Sequence, residues 1–462
     1  MGVLASVYDA SPILLQNLML SGRGWVNHWE RYGGEYHRYR QFLREYDEWD
    51  LDRRLSHQVV ELRAFLRFAV DRSAYYREAL ADVDVSAVAS VDDLHDLPIL
   101  EKEVLRSRID DVMTVPRTGA VEGHTGGTTG KSLVVRFTRE DNMRRMAMLD
   151  HFKARVGFEH RAMRRATFNG KHIVPPGQMK PVYWRYNAAC RQMIFSSFHV
   201  TEALMGHYVN ALNEFRPHAI DGFFTSICDV ASYIERHELK LSFTPVAIFP
   251  TSETLTDVGR ALLERVFGCG VFDQYASSEG APFVTECCER NLHVEPASGV
   301  FEHMDDTDEV LVTSFTTHGT PLIRYRIGDR MTFRNDYSCP CGNPSQVVEA
   351  IEGRRLDFLY TAEGAKINAG NVANLFKNMP NALVRAQLVQ QRQDEVVALL
   401  EVDRRLYRAE YDRLLETEFL HKFGAGTKLS IMHVDSIPRE RSGKFRLIRN
   451  ELAAGLTRHE QE

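Results

Sequence analysis

Pro245-Val246-Ala247-Ile248-Phe249, followed by Thr256, by Leu262, Leu263 and Val266, and then by Gly268-Cys269-Gly270 ahead of Val271-Phe272, is the stretch that decides the fold. The apolar run at 245–249 reads as a buried strand. Thr256 is a helix cap, the spaced leucines and valine form the inner face of a helix, and the two glycines end it before the next strand starts. This is a βαβ unit, in which ligands sit beyond the carboxyl ends of the strands. Thr251-Ser252-Glu253 and Tyr275-Ala276-Ser277-Ser278-Glu279 are therefore expected side by side at one rim, as two polar loops around a pocket.

The same alternation of short apolar runs and amphipathic helices extends from about 120 to 335, the pattern of a parallel sheet covered by helices. Before it, residues 1–110 read as mostly helical, with Val59, Leu62, Leu66, Ala69 and Val70 at three- and four-residue spacing. Trp25, Trp29, Tyr36 and Tyr39 are expected to pack against a neighbouring layer. After it, strands near 383–390, 395–402 and 429–434 and a helix near 405–423 form a small α+β unit. The expected division is a helical N-terminal part of the large domain at 1–110, an α/β core at 111–353 and a C-terminal domain at 354–462, with no internal repeat.

Of the 462 residues, 44% are apolar and 26% charged, ordinary globular usage that excludes disordered and fibrous classes. A net charge of −6 offers no general attraction to nucleic acid or to an anionic membrane, so an anionic ligand must be met by a local site. No apolar run approaches the roughly 18 residues of a membrane span, and the first basic residue is Arg23. A cytoplasmic enzyme is expected. The 7 cysteines include Cys287-Cys288 and Cys339-Pro340-Cys341, which suit a metal site in a reducing compartment better than a disulfide framework.

His124-Thr125-Gly126-Gly127-Thr128-Thr129-Gly130-Lys131-Ser132 has the composition of a phosphate cradle. Its glycines let backbone amides approach an anion, its threonines add hydroxyls and its lysine adds charge. It is not a Walker loop: Thr125 stands where that pattern needs glycine, and Leu133, Val135 and Phe137 alternate like a strand where a Walker loop opens a helix. A P-loop kinase is thereby disfavoured.

With Asp273-Gln274-Tyr275-Ala276-Ser277-Ser278-Glu279-Gly280, Tyr325-Arg326-Ile327-Gly328-Asp329, Gly353-Arg354 and Pro438-Arg439-Glu440-Arg441-Ser442-Gly443-Lys444, this loop resembles, in order, the motifs of the acyl-adenylate-forming ligases. Leu97-Pro98-Ile99-Leu100-Glu101-Lys102, Phe195-Ser196-Ser197-Phe198-His199 and Gln387-Leu388-Val389-Gln390 are similar to the phenylacetate-CoA ligase group, in particular its capsule-biosynthesis-like branch. The resemblance implies an adenylate-forming ligase fold: a large N-terminal α/β domain with parallel sheets and a small, mobile α+β lid. It implies activation of a carboxylic acid by ATP and Mg²⁺, release of pyrophosphate and transfer of the acyl group to a thiol.

By the same resemblance, Thr125, Gly126, Gly127, Thr128, Thr129, Gly130 and Lys131 hold the β- and γ-phosphates, Glu279 positions Mg²⁺ and Lys444 reaches the carboxylate and α-phosphate. Asp329 takes the ribose hydroxyls with help from Arg354, and Tyr275 stacks on adenine. Ser252, Glu253 and Thr254 line the base beside Ala276, Ser277 and Ser278. Phe198, His199, Gly222 and Phe223 are assigned to the acid pocket. The polar stretch with Lys171, His172, Lys180, Trp184, Arg185 and Tyr186 points to a polar or anionic acid, or to an exposed surface. Two departures stand out: Ala276 replaces a glycine, and Leu356, followed by Asp357, occupies a position where the family usually carries a charged hinge residue.

Cys287, His293, Cys339 and Cys341 offer the three thiolates and one imidazole of a closed structural zinc site, with Cys288 as a competing ligand and buried free thiols as the alternative. Coenzyme A is the leading acyl acceptor, an amine or a carrier protein remains open, and a catalytically silent scaffold of the same fold is the rival class. No nucleic-acid partner is expected.

Overall fold

Ala247–Thr251 is a strand, Asp257–Phe267 a helix and Gly270–Val271 the parallel neighbour of the first strand. Thr256 caps that helix by accepting a hydrogen bond from the Gly259 amide at 3.2 Å, and Gly268 closes it in the left-handed conformation at φ 68°. The computed structural model containing this unit describes residues 3–124, 133–175, 178, 180–304, 309–335, 337–352, 358–376, 379, 382–402, 404–437 and 447–452. The glycine loop at 125–131, Gly353-Arg354, Leu356-Asp357 and the 438–444 segment lie outside the described residues.

The βαβ unit forms one side of a six-stranded sheet. Its order is 184–187, 192–196, 165–169, 219–223, 247–251 and 270–271, all parallel except the edge pair Trp184–Asn187 with Gln192–Ser196. Helices Met205–Phe215, Phe224–Arg236 and Asp257–Phe267 turn their apolar faces inward on this sheet, and Ile220, Ile227, Ile248, Leu212 and Leu263 are buried among them. Gly222 sits at φ 126° where a Cβ would lie 1.8 Å from the Phe168 carbonyl oxygen, so the parallel pairing at this point admits only glycine.

The stretch after 273 departs from the expected continuation of the parallel sheet. It folds into a seven-stranded sheet whose neighbouring strands, drawn from Gln274–Tyr275 to Val347–Glu352, are all antiparallel. The short strand Gln274–Tyr275 is its edge, and it follows Gly270–Val271 of the first sheet directly in the chain. Glu309–Ser314 is buried on both faces, so Val310-Leu311-Val312 presents a continuous apolar run like that of a parallel strand, whereas Tyr325–Arg334 keeps an alternating pattern. Leu62, Leu66, Tyr76, Leu94 and Leu105 of the helical region pack into the core of this second sheet.

The C-terminal unit matches the expected elements closely. Leu383–Arg392, Glu395–Val402 and Lys428–Val434 are strands and Ala409–Phe423 is the helix. Ile448–Asn450 adds a parallel edge strand that the sequence did not reveal. The unit is docked on the large domain: Lys366 Nζ lies 2.7 Å from Asp229 Oδ1, and His172 and His421 meet at a ring separation of 4.6 Å.

Two expectations for the aromatic and polar stretches change. Tyr36 and Tyr39 do pack inward, Tyr36 donating to Asp150 at 3.0 Å and Tyr39 to the Ala297 carbonyl at 3.1 Å, whereas Trp25 and Trp29 are exposed. Arg185 is fully buried. Its guanidinium donates to Gln16 Oε1 at 2.5 Å, Gln178 Oε1 at 2.5 Å and the carbonyls of Val182 and Trp184 at 3.0 and 2.7 Å. Arg185 thus clamps the helix Ile13–Arg31 to the sheet edge and is neither an acid ligand nor a surface residue. Arg185→Met leaves these acceptors unpaired, with an expected loss of about 2–4 kcal/mol in denaturant unfolding and faster proteolysis before residue 32. Unchanged stability would refute the clamp.

Candidate adenylate site

The two loops foreseen at one rim line one pocket. Ser252, Glu253 and Thr254 follow the strand Ala247–Thr251, and Asp273, Gln274 and Tyr275 follow Gly270–Val271. The far wall is Asp329, from the strand Tyr325–Arg334, and Ile351, from Val347–Glu352. The pocket therefore lies where the carboxyl ends of the parallel strands face the antiparallel sheet, as expected for an open α/β fold. Tyr275 donates its phenolic hydrogen to Asp329 Oδ2 at 2.7 Å, which sets the orientation of that carboxylate.

Glu253 has a structural task as well. Its carboxylate accepts from the Thr225 amide at 2.7 Å and the Thr225 hydroxyl at 3.0 Å, capping the helix Phe224–Arg236, whose own N-cap Phe223 has no polar side chain. Ser252 holds φ 68°, a conformation that costs a serine on the order of 1 kcal/mol and bends the loop into the pocket wall. Gly222 and Phe223 end the adjacent strand, with Phe223 paired to Thr251 one residue before Ser252.

The rest of the 275–280 loop is held from behind. Ser277 Oγ accepts from the amides of Gly280 and Ala281 at 3.2 and 2.9 Å, and Ala276 packs against a buried cluster that includes Tyr46 and Phe283. Gly280, at φ 103°, leaves no room for a Cβ, which would fall 2.6 Å from Thr317. The Gly280 carbonyl accepts from the buried Arg145 at 2.9 Å and from Ser314 at 2.6 Å. A Cβ on Gly123 would sit 2.8 Å from the Ser278 carbonyl oxygen, so the strand Val121–His124 that leads into the 125–131 loop runs against this same loop.

Glu279 is buried and faces Lys102, with Nζ 3.2 Å from its Oε1. Lys102 is the charged residue beside the site to which sequence reading gave no role. Its only signal was its place in the Leu97–Lys102 segment, which lies against the Tyr325 strand through backbone bonds from Leu100 to Arg324 and Arg326 at 3.1 and 3.0 Å. Ile351 carried no motif at all.

Of the residues assigned to the acid, Phe198 is drawn into the core of the C-terminal unit with Leu359 and Ile367. His199 stays with the large domain, its Nδ1 2.8 Å from Ser196 Oγ, and its ring stacks on Tyr183 at 5.0 Å. Burial, with His172 and Arg185 nearby, lowers His199 to about 4, so it is neutral at pH 7. Thr125 to Lys131, Arg354 and Lys444 belong to segments outside the described residues.

A second cluster lies on the antiparallel sheet. One ligand atom each from Cys287, His293, Cys339 and Cys341 falls within 4.8 Å of all the others. A tetrahedral zinc with bonds of about 2.3 Å to sulfur and 2.0–2.1 Å to nitrogen requires edges of about 3.8 Å between sulfurs and about 3.5 Å between sulfur and nitrogen. Cys287 and Cys339 are 3.8 Å apart, and Cys341 Sγ is 3.5 Å from His293 Nε2. His293 Nδ1 pairs with the Ser345 carbonyl at 2.9 Å, leaving Nε2 facing the thiols, and burial lowers the pKa of the ring. Cys288 is exposed, and it is Cys287 that joins the cluster. The residues present fit a zinc ion.

Comparison with known proteins agrees with this architecture. The CapK C-terminal domain family matches residues 359–451. Protein CapK of Staphylococcus aureus is 34% identical over 454 residues, covering 97% of this chain and 100% of that one. Phenylacetate-coenzyme A ligase of Pseudomonas putida is 25% identical over 328 residues, covering 66% of this chain and 71% of that one. A crystal structure of 2-hydroxyisobutyryl-CoA ligase with 2-HIB-AMP and CoA superposes with a TM-score of 0.55 at 18% identity, covering 90% of this chain and 94% of that one, and so shares the fold. With identity to the Staphylococcus protein running almost from end to end, and with the five ordered motifs and the two-domain fold beside it, the chain belongs to the acyl-adenylate-forming ligases of the CapK and phenylacetate-CoA ligase type.

Proposed function

We propose that the protein joins a carboxylic acid to the AMP portion of ATP with release of pyrophosphate, and then passes the acyl group to a thiol, with coenzyme A the leading acceptor. The observation that carries this reading is the pocket in which Ser252, Thr254, Tyr275 and Asp329 meet, on the side of the sheets where the 275–280 loop turns. In the first step a carboxylate oxygen attacks the α-phosphorus, the bond to the bridging oxygen of pyrophosphate breaks, and the mixed anhydride forms. Two anions converge and a third departs, so cationic and hydrogen-bonding groups are needed around the phosphates.

Asp329, oriented by Tyr275, accepts from the ribose hydroxyls, and the Tyr275 ring faces the base beside Ser252 and Thr254. Thr125 to Lys131 cradle the β- and γ-phosphates, and Lys444 bridges the acid and the α-phosphate. Glu279 is the protein ligand for Mg²⁺, which usually takes one or two carboxylates with the substrate phosphates and there neutralises phosphate charge. Lys102 balances Glu279 before ATP arrives. In the second step the thiolate attacks the acyl carbon and AMP leaves. The zinc is structural: all four positions are taken by side chains, and the hairpin it ties down carries Val284, which pairs with Tyr275.

A pyrophosphate-exchange screen over carboxylic acids is expected to give acid-dependent exchange with at least one. Silence across a broad library would favour the scaffold reading. With the cognate acid, Lys444→Ala should lower exchange by roughly 10²–10³ and Glu279→Gln should raise the Mg²⁺ requirement. Near-normal exchange by Lys444→Ala would remove that residue from the mechanism.

Protein prepared without added metal should carry about one zinc per chain, and Cys339→Ser or Cys341→Ser should lower both zinc content and Tm. Elemental analysis without zinc would refute the metal site. Incubating the acid and ATP with CoA or with a panel of amines should yield a thioester by mass spectrometry. An amide, with no thioester at saturating CoA, would shift the acceptor assignment and leave adenylation standing.

A further inference from the structure

Among the described residues, side-chain hydrogen bonds hold the helix Ile13–Arg31 along one side, and Arg161 lies over the Trp25 ring at 5.7 Å. Gln16 meets Arg185, Asn17 Oδ1 accepts from the Tyr186 amide at 2.9 Å, and Ser21 Oγ accepts from the Ala188 amide at 2.9 Å. Gly24 lies against Asn187. On the neighbouring side Leu14, Leu18, Trp25 and Trp29 are 74%, 61%, 49% and 78% exposed. At 100° per residue these four fall within an arc of about 60°, so they form one continuous apolar stripe, broadened by the exposed Leu15 and Val26. Large apolar side chains gathered this way on a rigidly held helix mark an interaction surface.

The stripe has an internal symmetry. Leu14 and Leu18 stand as far before the Ser21-Gly22 pair as Trp29 and Trp25 stand after it. At the midpoint Gly22 has open space where a side chain would be, so another backbone could approach closely there. Two copies of the helix laid antiparallel would set Trp29 of each against Leu14 of the other and Trp25 against Leu18, with small residues at the crossing. That is the self-complementarity a two-fold interface demands. Two indoles and four aliphatic side chains from each copy would bury on the order of 1,000 Å² in total, enough for a specific contact. An anionic membrane is the poorer occupant. Residues 1–22 contain no lysine or arginine, so the basic flank that holds amphipathic helices on lipid is missing from half the stripe.

We propose that the protein forms a homodimer through antiparallel pairing of the helix Ile13–Arg31 of two copies. The test uses the full chain and light scattering coupled to size exclusion at micromolar concentration. Wild type should be a dimer. Leu14→Lys/Leu18→Lys and Trp25→Glu/Trp29→Glu should each raise the dissociation constant at least about 30-fold and run as folded monomers with cooperative thermal melts. Mixed together, the two variants should recover a 1:1 dimer, since antiparallel pairing sets the lysines of one against the glutamates of the other and leaves the remaining half native. A monomeric wild type would overturn the proposal, as would dimers that persist in both variants or a mixture that stays monomeric. A monomeric wild type that sediments with phosphatidylcholine–phosphatidylglycerol vesicles would assign the stripe to a membrane instead.

Discussion

Between Val271 and Gln274 the chain leaves one sheet and enters the other, and the pocket depends on that short passage. Val271 pairs with Ile248 in the parallel sheet, while Gln274 and Tyr275 pair with Thr285 and Val284 in the antiparallel one. Any rotation between the sheets would therefore separate Ser252 and Thr254 on one side from Asp329 and Ile351 on the other. The Tyr275 to Asp329 hydrogen bond of 2.7 Å fixes the antiparallel sheet's side of the pocket. A site built between two sheets is precise only if both sheets are rigid, and each has its own device for that.

In the parallel sheet the device is a buried charge network. Asp221, one residue before the obligatory Gly222, is approached by Lys153 Nζ at 3.2 Å and Arg165 Nη1 at 3.1 Å, and it accepts a hydrogen bond from Thr167 at 2.5 Å. Burial alone would raise this carboxyl, but Arg165 and Lys153 outweigh it and hold it below the usual carboxylate range. Removing one member of such a network leaves an unpaired buried charge, typically a loss of about 3–5 kcal/mol. In the antiparallel sheet the corresponding device would be the proposed zinc at the cysteine and histidine cluster, which draws side chains from the 284–294 hairpin and the 339–341 loop next to the strand that bears Ile351.

The βαβ unit was legible because local chemistry announced every boundary: a cap at Thr256, a left-handed Gly268, and apolar runs of strand length. The direction of the antiparallel sheet was not legible, because a doubly buried strand such as Glu309–Ser314 loses the alternation that distinguishes it from a parallel one. Long-range contacts were the other blind spot. Arg185 resembled a ligand-binding cation, yet its decisive partner Gln16 lies 169 positions away, and the Lys102 partner Glu279 lies 177 positions away. Phe198 carried a family resemblance, and its destination in the core of the C-terminal unit depends on how the two units dock. The cysteine and histidine cluster was legible as a candidate ligand set, and only the fold shows that Cys287, not Cys288, joins it.

The central claim is that the meeting of the two loops with Asp329 is a nucleotide site. Hydrogen–deuterium exchange with and without saturating AMP addresses it most directly, since it reads each backbone segment without knowledge of the acid. Slower exchange is expected at 251–254, 273–279 and around 329, with the helix Ile13–Arg31 unaffected. Unchanged exchange in those three segments, or protection centred elsewhere, would contradict the account.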